Sequence, residues 1–210
     1  MIRGKIPIRT HVITPADDIV EVVKRYAGEV ASPGDVVAVA ESAVAISQGR
    51  AVPSAKVRYG RLAAFLCRFA GKEGSLATPQ AMQLAIQEVG VGRILAGCVA
   101  AALGRLVGRR GDFYRVAGRH LALIDDVAGT MCSYEGFIVL GPRDPERVAE
   151  AIKEATGLDV AITDVNDARR VDIIGATAGV DRKLVEEALL DNPFGNDDQQ
   201  TPIVVLKKAG

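Results

Sequence analysis

The chain has 210 residues, 49% of them hydrophobic and 25% charged; Lys plus Arg and Asp plus Glu both total 26, so the formal net charge is zero. That length holds one generous domain or two small ones, and the balanced charge argues against a protein whose main work is gripping nucleic acid, where a basic footprint is expected. Aromatic residues make up 4% and Trp is absent, so the core is filled by small aliphatic side chains and platforms for stacking bases are scarce.

An extended opening over 5–13 leads into Thr14-Pro15-Ala16-Asp17. Thr14 can cap a helix, Pro15 suits its first position, and Asp17 and Asp18 favour its positive end. That helix runs to about Tyr26. Ser32-Pro33-Gly34-Asp35 is turn chemistry before a short apolar strand, Val36 to Ala40, which ends at Glu41-Ser42. The polar segment Ser47-Gln48-Gly49-Arg50 follows. Helices are expected over 59–70, over 78–89 behind the Thr78-Pro79 cap, and over 94–106. The most apolar stretch, 91–107, carries Arg93 and Arg105; it is too short and too charged to span a bilayer and reads as a buried helix.

From Asp112 the pattern predicts strands over 113–117, 120–125 and 137–140. Asp144-Pro145-Glu146 opens a helix that Gly157 ends. Residues 158–162 read as a strand, with Thr163-Asp164 just beyond it. A helix over 181–190, a polar loop over 192–201 and a closing strand over 202–206 complete the chain. The expected class is α+β, a single domain over 1–210 with an intertwined core and a shift near 111 from a helix-rich first half to a strand-rich second half.

Three cysteines, Cys67, Cys98 and Cys132, are odd in number and lack a CxxC pair. They fit neither a disulfide framework nor a zinc site, and read as packing thiols in a reducing cytoplasm. The opening residues lack the apolar segment of a signal peptide.

Acidic groups at strand ends are the leading chemical candidates, because strands position the residues that follow them rigidly. Asp164, Asn166 and Asp167 offer oxygen ligands suited to Mg²⁺ or Mn²⁺, or equally an Asx-turn. Asp125-Asp126 and Glu41-Ser42 are acidic sites of the same type, and three converging strand ends would make a metal site. Asn196 to Thr201 is an oxygen-rich loop that could cover it. For phosphate, Ser47-Gln48-Gly49-Arg50 and Gly108-Arg109-Arg110-Gly111 combine glycine with guanidinium groups; neither a Walker A loop nor a GxGxxG is present. His11 and His120 lie in β-like runs and read as hydrogen-bonded structural residues.

Several segments in order resemble the coenzyme F420-0:L-glutamate (gamma-glutamyl) ligase family. Ile6-Pro7 with Asp17-Asp18-Ile19 resembles its opening. The run from Pro33 to Val39, followed by Ser47-Gln48-Gly49-Arg50, resembles its Gly-Asp strand and Ser-Lys-x-Glu-Gly-Arg segment. Val160-Ala161-Ile162-Thr163-Asp164 resembles its strand ending in Ile-Thr-Asp-Thr, and Thr201 to Val205 resembles its terminal Ile-Pro-Val-Val strand.

The resemblance implies a distinctive α+β fold with an antiparallel-rich sheet region and an intertwined homodimer. It implies GTP-dependent (or ATP-dependent) joining of a small-molecule carboxylate and an amino acid, with Mg²⁺ or Mn²⁺, in the cytoplasm, and with neither nucleic acid nor membrane as partner. Asp164 matches the family's metal-binding Asp, and Gly49 and Arg50 match its Gly-Arg. The resulting assignment makes Asp164 and Asp167 catalytic, gives Ser47, Gly49, Arg50 and Asn166 to the nucleotide, and gives Asp164, Asp125 and Glu41 to the metal. Val165 stands where the family has Thr, and Met131 where its Ala-Gly-x-Asp-x-Ser-Asn motif has Asp, so Asp125, Asp126 or Glu135 would have to substitute. The alternative is a non-catalytic homologue that binds a nucleotide or anion.

Overall fold

The computed structural model describes residues 2–70, 75–125, 132–166, 169–195 and 199–208, without the side chain of Cys132. In chain order the elements are β1 (Ile2–Ile8), α1 (Ile19–Ala27), β2 (Val36–Ala40), α2 (Glu41–Ser47), β3 (Ala51–Pro53), α3 (Arg61–Leu66), α4 (Pro79–Val89), α5 (Val91–Leu106), α6 (Asp112–Ala117), β4 (Phe137–Val139), α7 (Pro145–Thr156), β5 (Asp159–Asn166), β6 (Arg170–Ala176), α8 (Arg182–Leu189) and β7 (Ile203–Lys208). They form two compact units. The first takes the chain up to Arg50 and again from Pro142; the second takes nearly all of the chain between, so that residue 111 lies inside it.

The first unit is built on a sheet of order β1-β7-β2-β5-β6. The β2–β5 pairing is parallel, and β1–β7, β7–β2 and β5–β6 are antiparallel. This is the expected α+β class with an antiparallel-rich sheet. β2 reads Val-Val-Ala-Val-Ala because both its faces are covered, as a near-continuous apolar run requires. On one face Val36, Ala38, Ala161, Ile173, Val204 and Leu206 pack with Val185 and Leu189 of α8. The helix α7 packs on β5 and β6, and α1 packs against α7.

Local chemistry moves one expected helix start. Asp18, not Thr14, caps α1, accepting from the Val20 amide at 2.8 Å. Thr14 and Pro15 form the turn before it, where Asp17 accepts from the Thr14 amide and hydroxyl, both at 2.8 Å. His11 joins that turn, 3.0 Å from Asp17 and 3.1 Å from the Tyr26 hydroxyl, which makes it the hydrogen-bonded structural residue expected. Thr78 caps α4 with Pro79 behind it, and Gly157 at φ 74 ends α7, both as predicted.

The strand predicted over 158–162 is longer. β5 runs on to Asn166, and the chain returns as β6, an element the sequence pattern hid. The polar residues at 164 and 166 look like a strand end, but Thr163 pairs with Ile173 and Val165 with Val171, so the ladder continues. Asp164 therefore lies within a strand.

The second unit corrects two expectations. Residues 113–117 form α6 rather than a strand, and 119–123 form a 3₁₀ turn rather than one over 120–125. Aromatic and β-branched residues there suggest strand, yet β-preference yields to packing. α6 lies so close to α5 that a Cβ on Gly97 would sit 2.9 Å from Ala117 and one on Gly104 2.0 Å from Asp112. The strand expected over 137–140 is β4, paired with β3.

The helix expected to be buried, α5, is covered on one face only. Ile94, Gly97 and Gly104 are buried, whereas Val91, Leu95, Val99, Leu103 and Leu106 are exposed. Among the described residues no single helix is long and apolar enough to cross a membrane; α4 and α5 meet that composition jointly, across a bend of 113°.

Asp35 ties the sheet to its flanking turn. It is 5% exposed, and its carboxylate accepts from the Ser32 amide (2.8 Å), the Lys207 ammonium (2.7 Å) and the Lys208 amide (3.0 Å). Burial opposes its charge, but the hydrogen bonds from Lys207, Ser32 and Lys208 and the Lys207 charge together hold the carboxyl below its usual range. Asp159 is held below that range by Lys153 at 2.8 Å, against its own burial, with help from the Thr177 hydroxyl at 3.0 Å. Groups with lowered folded pKa stabilise the fold above the unfolded value of about 3.9, and that stability is lost as pH falls through the folded values. Urea midpoints are expected to be flat near neutrality and to fall steeply below about pH 4. Asp35→Ala is expected to remove about 2 kcal/mol at neutral pH, because it takes the acceptor from the Ser32 and Lys208 amides and leaves the Lys207 ammonium with only the Val30 carbonyl and the Ser32 hydroxyl; an unchanged midpoint would refute that role.

Candidate functional site

The parallel pairing of β2 with β5 sets Ala40 opposite Thr163. The residues that follow each are Glu41 and Asp164, so two of the predicted acidic positions come next after one paired position in the same unit. Glu41 does not trail from the strand as a loop; it is the first residue of α2. On the other side of β5, Asp164 is directly opposite Asp172 of β6. Side chains alternate along a strand, so Asp164 and Asp172 share a face with Val160, Ile162 and Gly175. α7 packs on that face, since Gly175 meets the Pro145 backbone.

Like charges directly opposite one another on an antiparallel pair are destabilising, and a cation near both would relieve that. Asp172 was missed from sequence because its partner is defined only by the hairpin; the alternation Val171-Asp172-Ile173 was the available signal. Thr163, one residue before Asp164, is 1% exposed and on the opposite face. Its hydroxyl has no hydrogen-bond partner among the described residues.

Asn166 serves the hairpin. Its side-chain oxygen accepts from the Arg170 amide at 3.2 Å and its carbonyl from the Arg169 amide at 3.1 Å, with Arg169 at φ 57. Of the two readings open for this residue, the turn is the one the hydrogen bonds describe. Asp167 lies outside the described residues, as do Asp126, Met131 and positions 196–198 of the expected covering loop. Asp125 belongs to the second unit, where its backbone exchanges two bonds of 2.9 Å with Val139. Its expected place at the end of a strand is corrected, because the residues before it form a 3₁₀ turn.

Ser47-Gln48-Gly49-Arg50 closes α2. The Gly49 amide donates to the Ile46 carbonyl (2.8 Å) and the Arg50 amide to the Ala45 carbonyl (2.9 Å), with Gly49 at φ 70. That is a Schellman cap, which demands glycine at the left-handed position. The two amides are thereby committed to the helix end rather than to a phosphate. The Ser47 hydroxyl donates to the Val44 carbonyl at 2.8 Å, while the Arg50 side chain is buried, with the residue 7% exposed.

Gln48 clamps a second segment: its amide nitrogen donates to the Arg143 carbonyl (3.0 Å) and its oxygen accepts from the Arg143 amide (2.8 Å). This fixes the cap against the chain that enters α7. Gln48→Ala is expected to lower unfolding free energy by about 1–2 kcal/mol, since both Arg143 groups lose a partner. A urea titration reads it, and a change within error would show the clamp to be incidental.

Among the described residues no three His, Cys, Asp and Glu side chains gather closely enough to hold a metal. The donor chemistry of Asp164 with Asp172 nevertheless suits a hard divalent cation that takes its remaining ligands from water or phosphate oxygens.

A family model described as F420-0:Gamma-glutamyl ligase matches residues 7–199. No curated protein matches the chain.

Proposed function

This chain belongs to the F420-0:gamma-glutamyl ligase family, and from that premise we propose that it is an amide ligase. It would join the amine of glutamate to a carboxylate of a small-molecule acceptor, using GTP or ATP. The match over 7–199, nearly the whole chain, carries this reading. The opposed carboxylates Asp164 and Asp172 support it, because phosphoryl transfer asks a protein chiefly for positioning and charge neutralisation.

In such a reaction the acceptor carboxylate attacks the terminal phosphorus of the nucleotide, the bond to the bridging oxygen breaks, and an acyl phosphate and the nucleoside diphosphate result. The amine then attacks the acyl carbon, and phosphate leaves. A Mg²⁺ or Mn²⁺ held by Asp164 and Asp172 would supply neutralisation of phosphate charge. Arg50 would add a guanidinium, which pairs with phosphate in a fork. The Schellman cap and the Gln48 clamp would hold Arg50 in place. Glu41 would supply negative charge on the β2 side, and Asp167, beyond Asn166, would be the residue to take a proton from the incoming amine.

A homodimer is part of the same proposal. The exposed stripe Val91, Leu95, Val99, Leu103 and Leu106 lies on a helix that has no charged residue from Ile94 to Gly104. Depletion of charge is typical of permanent interfaces. The cytoplasm is the proposed location, because nucleoside triphosphates are supplied there.

The second reading, a homologue that binds nucleotide without turnover, is favoured by Met131 at the family's acidic position. The two are separated by phosphate release with GTP or ATP, Mn²⁺, glutamate and a deazaflavin phosphodiester acid. Release that needs both glutamate and the acid supports the ligase. Thermal stabilisation by nucleotide without release supports the binding homologue, and the absence of both effects would sink both readings.

A further inference from the structure

The second unit holds a pocket of about 900 Å³ among α3, α4, α5 and α6, within the size range of sites for small molecules. The chain contains five Phe and four Tyr, and Phe65, Phe69, Phe113 and Tyr114 line this one pocket, together with Leu76 and Met82. Phe65 stands edge-on to Phe69 at 5.2 Å and Phe113 to Tyr114 at 5.1 Å. Such ring pairs offer flat apolar faces, and 55% of Phe65 and 59% of Phe69 remain exposed.

The lining also carries charge. The turn Gly108-Arg109-Arg110-Gly111, with both glycines at positive φ, lines the pocket beside Arg105. Arg109 is held by Asp112 at 3.2 Å, and the same carboxylate takes Arg115 at 3.0 Å. The guanidinium groups of Arg105 and Arg110 have no ion-pair partner among the described residues. Three guanidiniums of the lining, with Arg115 beside them, thus share one carboxylate, which leaves this part of the lining positive.

We infer that this pocket binds a small amphipathic anion, with a flat aromatic body between the Phe65–Phe69 and Phe113–Tyr114 pairs and a phosphate group at Arg105 and Arg110. The pocket shares no residue with the proposed catalytic groups: its lining belongs to the second unit, whereas Arg50, Asp164 and Asp172 belong to the first. An uncharged aromatic ligand would leave the arginines unused, and a bare phosphate would leave the rings unused.

The test uses the full chain and three probes: 1-naphthyl phosphate, 1-naphthol and inorganic phosphate. Calorimetry is expected to show 1-naphthyl phosphate binding at least about tenfold more tightly than either other probe, the ratio one charge-assisted hydrogen bond supplies. Arg105→Gln combined with Arg110→Gln should weaken 1-naphthyl phosphate about tenfold and leave 1-naphthol unchanged. Cys98 also lines the pocket, and burial raises its thiol pKa. Bound 1-naphthyl phosphate should therefore slow alkylation of Cys98 at alkaline pH, as read by peptide mass spectrometry. Should the double variant fail to fold, Cys98 protection in the unaltered chain decides. Equal binding of 1-naphthol would overturn the inference and mark a purely apolar seat, such as one for a second copy of the chain. Affinity indifferent to the arginine changes, or unaltered Cys98 alkylation, would overturn it too.

Discussion

Asp164→Asn is expected to lower glutamate-dependent phosphate release at least about a hundredfold, the scale of losing one group that stabilises charge in a transition state. The substitution keeps the shape of the side chain and removes its charge. The β5–β6 ladder is a backbone structure, with Asp164 opposite Asp172, so the fold is expected to persist. What should vanish is the stabilisation that Mn²⁺ and nucleotide together confer on the native state. Asp172→Asn should act in the same direction, because a cation between two opposed carboxylates needs both. Its midpoint without cation should hold or rise slightly, since opposed like charges are destabilising. Full activity in Asp164→Asn would end the proposed role of this strand. Loss in Asp164→Asn with full activity in Asp172→Asn would confine the role to the residue that matches the family motif.

Gly175→Ala is expected to be strongly destabilising. A Cβ there would lie 2.5 Å from the Pro145 carbonyl carbon and 2.7 Å from both the Pro145 oxygen and the Glu146 nitrogen. These are backbone atoms of the first turn of α7 and cannot rotate aside, so the helix must move off the sheet. Overpacking of that kind costs about 3 kcal/mol, or a fall in melting midpoint of roughly 6–12 °C for a chain of this size. Gly179→Ala meets the Asp159 carboxylate, at 2.2 Å from one oxygen; that side chain can yield, although Lys153 and Thr177 hold it, so a smaller loss is expected. Gly4→Ala, whose nearest neighbours are Lys207 side-chain carbons at 4.0 Å, should be close to neutral. Equal losses at Gly175 and Gly4 would show that α7 is not seated as described.

Much of the first unit was legible because its signals are local. Pro145 after Asp144 and Gly157 after the last turn bracket α7. The unbroken apolar run of β2 announces a strand covered on both faces. Asp164 stood out too, by its place after Ile162-Thr163 and by the family resemblance, but as a residue beyond the strand rather than within it. Its surroundings did not. Whether Asn166 closes a turn or meets a ligand depends on the Arg170 amide, and Asp172 becomes a neighbour only once β6 pairs with β5. In Ser47-Gln48-Gly49-Arg50 the glycine and arginine suggested phosphate, but a helix ending at Ser47 turns the same amides into a cap.

By itself the sequence determined the α+β class, the family, most helix ends and the apolar strand that leads up to Asp164. Those features follow from residue order over a few positions: caps, proline, glycine and hydrophobic period. Only the tertiary structure decided that 113–117 is a helix, that β5 returns as β6, and that the apolar 91–107 helix is buried on one face and bare on the other. Each of these rests on contacts between residues distant in the chain or on the register of a hairpin. A short apolar segment fits helix and strand alike until Gly97 and Gly104 admit it as a helix, and a carboxylate gains its opposite number only when the ladder is built.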